Sequence, residues 1–198
     1  MTVAEMGSVL DQLVRLSAIV YKNEAHWNVT GMELIPGATD EKIEALSASC
    51  SFPFPPSYRQ FLRLTNGCFN FWPKFTLLGT EGEPYEIVRA EIEDAHEHQS
   101  QFVKDASGQI TPESLAAFES KKGSRYFFVP THTVFGTNKG GEFFLFNEKV
   151  RTAEGEYEAV RYSYSAAAKE RYPDFPSLLL STAQRLEERI ASKGYAQK

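Results

Sequence analysis

His96 and His98 are the residues whose type and spacing most directly suggest chemistry, because two nearby histidines can share a metal ion. The apolar residues around them recur every three to four positions, which predicts a helix. On a helix, residues two positions apart point about 200° away from each other, so the two imidazoles do not face a common ion. The pair therefore predicts a solvated helix face and no metal site. His26 and His132 are isolated in the sequence, which favours loop or core positions.

Segment 136–141 combines glycines with a hydroxyl group and Lys139, which are residue types that can cradle a phosphate. It lacks the spacing in which a glycine-rich loop ends in Lys-Ser or Lys-Thr just before a helix. The residues that follow, 142–147, are a predicted strand, so no helix N-terminus is available for a phosphate. We therefore expect a tight connection into a strand.

Nucleophilic catalysis needs a serine or cysteine beside a base that a third group orients. Neither Cys50 nor Cys68 shares a motif with a histidine, and the Gly-x-Ser-x-Gly elbow is absent from the sequence. Acidic pairs such as Glu91 and Glu93 have polar neighbours, which leave carboxylates ionised. The sequence predicts no catalytic residue and no cofactor, and it favours a binding protein over an enzyme.

An aromatic cluster over residues 69–75 and the acidic stretch after it are the candidates for a binding surface. Half of the aromatic side chains must face inward on a strand, and Trp72, just before Pro73, is the one that we expect to be exposed. The acidic stretch is typical of a solvated helix face, but it could also attract a basic protein. The predicted partner-binding residues are Trp72, Glu81, Glu83, Glu86, Asp94 and Glu97.

The overall composition restricts the class of partner. A net charge of −5 argues against general nucleic-acid binding, which relies on lysine and arginine. The hydrophobic content of 42% supports a folded core, whereas apolar runs such as 143–146 are far shorter than the ~20 residues that span a bilayer. With two cysteines and no secretory signal pattern, we expect a cytoplasmic protein that contacts neither membranes nor nucleic acids directly.

The first half of the sequence is mainly helical in pattern. Apolar residues at helical spacing predict helices over 3–21, after Thr39, over 56–65 and from Pro84 to Phe102, with a shorter helix at 112–118. Segment 22–37 contains loop signals, and Asn66-Gly67 is expected to end the helix before it. A strand is predicted over 74–78.

The second half is rich in strand patterns. The expected strands cover 125–129, 134–135, 142–147 and 156–162, with a hairpin turn at Ala153-Glu154-Gly155 before the last of them. A final helix follows Pro173 and ends at Gly194. Because the strands do not alternate strictly with helices, the predicted fold class is α+β, with an antiparallel or mixed sheet flanked by helices.

Five short motifs occur in an order that resembles the SUKH superfamily, which includes many bacterial immunity proteins and a fungal cell-wall assembly regulator. Phe54 stands where that family usually has leucine, Cys68 replaces a common second glycine, and Asn138-Lys139 replaces an acidic residue and glycine. The matching segments are 38–46 (first core helix), 54–62 (proline, tyrosine and phenylalanine-leucine signature), Asn66-Gly67, 127–130 with 141–146 (paired strands) and 173–179 (C-terminal helix).

This resemblance implies a SUKH-like domain over 38–192. Residues 1–37 are then a helical extension, residues at about 80–123 a helical insertion, and residues 193–198 a tail. The implied function is an immunity protein that occludes a cognate toxin without catalysis. Two alternatives are an intracellular regulator or scaffold of the same fold, and a small-molecule-binding domain with a pocket near Asn66, Trp72 and Lys139.

Overall fold

The computed structural model describes residues 1–120, 127–163 and 167–195 of the chain. The helices of this part are α1 (Val3–Asn23), α2 (Asp40–Ser49), α3 (Pro56–Leu64), α4 (Gly82–Val103), α5 (Pro112–Ser120) and α6 (Phe175–Lys193). Its strands are β1 (Glu33–Pro36), β2 (Thr65–Phe71), β3 (Phe75–Leu77), β4 (Thr133–Thr137), β5 (Glu142–Arg151), β6 (Tyr157–Ser163) and β7 (Ala167–Tyr172). Short 3₁₀ turns lie at Ala25–Trp27 and Val129–Thr131.

The strands form one antiparallel sheet in which each strand pairs with its neighbours in sequence, from β1 at one edge to β7 at the other. The hairpin turn predicted before β6 is present. Gly155 has φ +83°, a left-handed conformation that glycine adopts without a steric penalty. Since helices flank this antiparallel sheet, the predicted α+β fold class is confirmed.

One face of the sheet carries an aromatic core that α3 and α6 cover. The ring of Tyr58 on α3 lies 5.0 to 5.5 Å, between centroids, from Phe135 on β4, Phe146 on β5 and Phe175 at the start of α6. The Tyr58 hydroxyl donates a 2.8 Å hydrogen bond to the Leu78 carbonyl, so the one polar atom of this side chain is satisfied inside the core.

Helix α1 packs on the same side of the molecule, against α6 and α3. Thr2 and Glu5 form a reciprocal capping box at its start. At its end, Arg189 of α6 donates hydrogen bonds of 2.6 and 2.7 Å to the two carboxylate oxygens of Glu24. The buried residues of α1 are Met6, Leu10, Leu13, Leu16, Ser17, Val20 and Tyr21.

Helix α4 covers the opposite face of the sheet. Because side chains alternate along a strand, Phe143 points away from the side to which Phe144 and Phe146 point. Tyr162 on β6 is the register partner of Phe143, so it shares that face. The Gln99 side chain of α4 donates a 3.2 Å hydrogen bond to the Tyr162 hydroxyl. The sheet therefore lies between α3 and α6 on one side and α4 on the other.

The strand predicted over 125–129 is wrong for its described residues, since Phe127 and Phe128 are in no strand and Val129 begins a 3₁₀ turn. Residues 125 and 126 lie outside the described part. Gln99 explains the difference, because its Nε2 donates to the Phe127 carbonyl at 2.9 Å and its Oε1 accepts from the Val129 amide at 2.8 Å. A side chain thus satisfies backbone groups that would otherwise need a neighbouring strand.

Asn66 and Gly67 lie in β2 and do not end α3, whose last residue is Leu64. Gly67 does have a positive φ of +83°, as expected, but the sheet imposes it. A Cβ atom at Gly67 would lie 2.6 Å from the Leu77 carbonyl oxygen on β3. The glycine is therefore required by the close approach of β2 and β3.

Strand β2 was absent from the sequence-based expectations, which ended α3 within it, and the two edge strands of the sheet were absent as well. Strand β1 lies within segment 22–37, which was expected to be a loop, and pairs Glu33 and Leu34 with Phe69 and Cys68. Strand β7 pairs with β6 at the other edge. Both are short edge strands, and edge strands depend on one neighbour and carry weak sequence signals.

Candidate functional site

The solvent side of α4 is predominantly acidic. Its inward side contains Val88, Ala95 and Gln99, which are buried against the sheet. With about 100° of rotation per residue, five carboxylates fall on an arc of about 100° on the opposite side. All five are exposed, and we call them the acidic face: Glu83, Glu86, Glu93, Asp94 and Glu97.

Four of the six predicted partner-binding residues belong to the acidic face: Glu83, Glu86, Asp94 and Glu97. Within the described part of the chain, none of these carboxylates has an ion-pair partner. Their negative charge is therefore left to solvent and to any approaching molecule. Glu81, also predicted, lies just before α4 and pairs with Lys42 of α2.

Polar contacts from α4 to the sheet hold the acidic face in place. The Thr137 hydroxyl at the end of β4 donates a 3.4 Å hydrogen bond to Glu91. Burial raises the pKa of the Glu91 carboxyl, and the nearby charge of Asp94 raises it further. About two turns further along, the Gln99 side chain hydrogen-bonds to the backbone on both sides of Phe128. Helix α4 therefore presents its charges from a rigid support.

The start of α4 is positioned by the Asn66-Gly67 motif. The Asn66 side-chain oxygen accepts a 2.6 Å hydrogen bond from the Thr80 amide, two residues before the helix begins. A Cβ atom at Gly79 would lie 2.3 Å from the Asn66 carbonyl oxygen, so only glycine allows this approach. The motif therefore sets where the chain leaves the sheet and enters α4.

Trp72 is half-buried, although it was expected to be exposed. Its ring packs 5.6 Å from Tyr21 and 5.4 Å from Trp27, between centroids, and the Arg189 guanidinium lies 5.3 Å above it. It also lines a small cavity with Leu178 of α6. Trp72 therefore lies on the α6 side of the sheet, and the structure does not bring it together with the acidic face.

A groove of about 500 Å³ lies beside the N-terminus of α4, and sequence reasoning missed it. Ile35 of β1 and Phe69 of β2 form its apolar wall, while Lys42 and Glu83 contribute charge at its rim. Its lining residues come from four separate segments, so no local pattern indicates it. The groove adjoins the acidic face through Glu83.

The pocket expected near Asn66, Trp72 and Lys139 is not formed by the described residues. Asn66 lines the groove beside α4, whereas Trp72 lines the small cavity near α6. Lys139 lies in the turn between β4 and β5, with φ +58°. This turn is the tight connection predicted for segment 136–141, in which the Asn138 side chain accepts hydrogen bonds from the amides of Gly140 and Glu142.

Neither cysteine is poised to act as a nucleophile. Burial raises the pKa of the Cys50 thiol to about 11, and it raises the pKa of the fully buried Cys68 thiol further. Over residues 1–120, 127–163 and 167–195, no group of three His, Cys, Asp or Glu side chains has the arrangement needed to hold a metal ion.

Taken together, the fold and the acidic face define an α+β domain with a charged helical surface. Over residues 37–181 the chain matches the model of the SMI1 / KNR4 family (SUKH-1), and it belongs to this family. The matched region includes the acidic face and excludes α1. No curated protein matches the chain significantly. Among the described helices, none has both the length and the apolar character needed to span a bilayer.

Proposed function

We propose that this chain is a non-enzymatic immunity protein that acts in the cytoplasm. It neutralises a cognate bacterial toxin by covering it in a stoichiometric complex. Membership of the SMI1 / KNR4 family supports a protein-binding role, since the wider SUKH superfamily includes many immunity proteins. The acidic face is the single observation that carries the proposal, because its carboxylates are exposed, close together and unpaired among the described residues.

The negative charge of the acidic face indicates which kind of partner it binds. Helix α4 contains six acidic residues and one basic residue, Arg89, so its field attracts a positively charged surface. The active-site cleft of a nuclease toxin has this charge, because it must bind phosphates. Charge complementarity speeds association and excludes partners of like charge. The immunity protein therefore finds and blocks the cleft without transforming any substrate.

The dimensions of α4 suit such a complex. A helix of 22 residues extends about 33 Å at 1.5 Å per residue. A standard protein interface buries about 800 Å² per partner, which corresponds to a patch about 30 Å across. Helix α4 and the adjoining groove can form most of this patch, with apolar contact from Phe69 and Ile35 beside the charged contact.

The test is co-expression with the toxin-like protein encoded by the neighbouring gene. We expect a one-to-one complex by light scattering and inhibition of the toxin in proportion to the molar ratio. The double substitution Glu86→Lys with Glu97→Lys should weaken binding at least about tenfold. The matched control makes the same charge change on α6, with Glu187→Lys and Glu188→Lys, and should leave affinity within about threefold.

Failure to bind any adjacent toxin-like product would contradict the immunity proposal. The regulatory or scaffold alternative then gains support if a different protein binds and the α4 double variant abolishes that binding. The small-molecule alternative rests on the groove of about 500 Å³. A thermal-shift screen tests it, because a specific metabolite raises the melting temperature according to its occupancy.

A further inference from the structure

His132 is buried between two carboxylates that come from different elements. Its side chain is 2% exposed. The Nδ1 atom lies 3.1 Å from Glu148 of β5, and the Nε2 atom lies 3.1 Å from Glu119 of α5. Lys149 Nζ lies 2.6 Å from the other oxygen of Glu119. The imidazole therefore joins the end of α5 to the sheet.

The geometry determines the protonation state of this imidazole. A neutral imidazole has one N–H donor and one acceptor nitrogen, whereas an ionised carboxylate can only accept. Two carboxylates at hydrogen-bond distance from both ring nitrogens are therefore satisfied together only by the doubly protonated ring. A neutral ring would place a nitrogen lone pair against the carboxylate of either Glu119 or Glu148.

The electrostatic surroundings agree with a charged ring. Burial alone would lower the pKa of His132, but the hydrogen bonds that the ring donates to Glu119 and Glu148 outweigh this effect and raise the pKa above 6.5. Burial would raise the pKa of Glu119, yet His132 and Lys149 lower it to about 2. Among the described residues, Arg171 of β7 also lies close: its guanidinium is over the ring of Phe127, and this ring packs against His132.

Helix α5 has few other attachments to the described residues. Phe118 is its one buried residue. Together with Val103 and Phe128, Phe118 forms a second apolar cluster, separate from the main core. Such a small cluster stabilises a helix weakly, so polar contacts contribute a large share of the attachment.

We propose that Glu119, His132 and Glu148 form a proton-dependent latch. The protonated latch fastens α5 to the sheet, and loss of the proton removes one of its two hydrogen bonds, so that α5 opens more readily and exposes the apolar cluster beneath it. The device couples pH to the exposure of Phe118 and Phe128 while the main core stays folded.

The direction of the pH effect follows from linkage. A histidine whose pKa is higher in the closed state stabilises that state fully below the pKa of the open state, near 6.5. The stabilisation then declines as pH rises through the pKa of the closed state. The equilibrium constant for the opening of α5 should increase by up to about tenfold per pH unit across this window. The carboxylates stay ionised throughout it, because the pKa values of Glu119 and Glu148 are lowered.

The test uses the intact chain and needs no variant in its first arm. Two-bond ¹H–¹⁵N spectra of the histidine rings report protonation, and amide hydrogen exchange reports opening of α5. We expect His132 to be an imidazolium at pH 7. As it deprotonates, the α5 amides should lose protection, after correction for the intrinsic pH dependence of exchange, while those of α6 keep theirs. The proposal is overturned if the ring is neutral at pH 7, or if the protection of the α5 amides does not change as His132 deprotonates.

A matched pair of variants forms the second arm. Glu119→Gln removes one carboxylate of the latch, so it should lower the pKa of His132 and raise α5 exchange at least about fivefold at pH 7. Glu113→Gln makes the same chemical change on the exposed side of α5 and should alter neither. Equal effects of the two substitutions would show that general loss of charge on α5, and not the latch, controls its attachment.

Discussion

Helices α1 and α5 were both expected to lie outside the simplest version of the domain, yet the structure attaches them in opposite ways. Helix α1 buries seven residues and packs against α6 and α3. Helix α5 buries only Phe118, and its polar contacts to the sheet run from Glu119 to His132 and Lys149. Helix α1 is therefore part of the main core, whereas α5 is a peripheral element that can open by itself.

Each helix is joined to the rest of the molecule by a buried charged residue, and these residues have different partners. Glu24, at the end of α1, accepts hydrogen bonds from Arg189, Trp27 and Tyr195, so its ionised form is stabilised by permanent donors. His132 donates to both Glu119 and Glu148 only while both of its ring nitrogens carry a proton. The first attachment is insensitive to pH near neutrality, and the second responds to it.

The largest effect on stability is expected from a substitution that creates a cavity beside α1. Leu13→Ala removes a side chain that is 1% exposed and should lower the free energy of unfolding by about 3 kcal/mol. Chemical denaturation followed by circular dichroism measures it. The comparable change in α5, Leu115→Ala, should cost less than about 1 kcal/mol, because Leu115 is half-buried at the edge of a small cluster. If both substitutions lowered the free energy of unfolding by similar amounts, α1 and α5 would not differ in how they are attached.

A smaller effect is expected at Glu24. Glu24→Gln keeps the shape but removes the charge that Arg189 binds, and it should cost about 2 kcal/mol at pH 7. Hydrogen bonds from Arg189 lower the pKa of Glu24 to about 2 in the folded state, from 4.5. The wild-type advantage is therefore present above pH 4.5 and should disappear as pH falls to about 2. Denaturation series over this range test it, with Glu188→Gln as the neutral control.

Next in size is the effect of shortening Phe118. Phe118→Ala removes the one buried side chain of α5. It should speed amide exchange in α5 at least about tenfold while lowering the global free energy of unfolding by about 1 kcal/mol or less, because α5 opens as a local unit. Hydrogen exchange measured residue by residue distinguishes the two quantities. Cooperative destabilisation of α1 and α6 along with α5 would place α5 in the main core.

The smallest effect on stability is expected on the acidic face. Glu86→Lys with Glu97→Lys changes exposed residues that have no ion-pair partner among the described residues. The free energy of unfolding should change by no more than about 0.5 kcal/mol. Thermal denaturation of the free protein measures it. A large loss would mean that these carboxylates are structural, and their effect on binding would then no longer identify an interface.

The sequence predicted those elements that carry a clear local pattern. Helix α3, with Tyr58 and Phe61 turned inward, was expected from its helical spacing, and strand β5 from its run of aromatic residues after two glycines. The exposed side of α4 was likewise visible, because its carboxylates recur at helical intervals. In each of these cases the information lies within one contiguous segment.

What the sequence missed depends on contacts between distant segments. Gln99 replaces the strand partner expected beside Phe127, although the residues are far apart in the chain. Trp72 is covered by Tyr21 of α1 and Arg189 of α6, which are distant from it in the sequence. His132 is isolated in sequence, and only the fold brings carboxylates to both of its nitrogens. No local pattern carries such information.

The salt dependence of complex formation tests the central claim most directly. The association rate constant with the neighbouring toxin-like protein is measured by stopped flow at increasing ionic strength. Steering by the acidic face predicts a steep fall in the rate constant for the wild type and for the α6 control, and a much flatter dependence for the α4 double variant. A wild-type rate that does not depend on salt, or an identical dependence in all three proteins, would contradict the account.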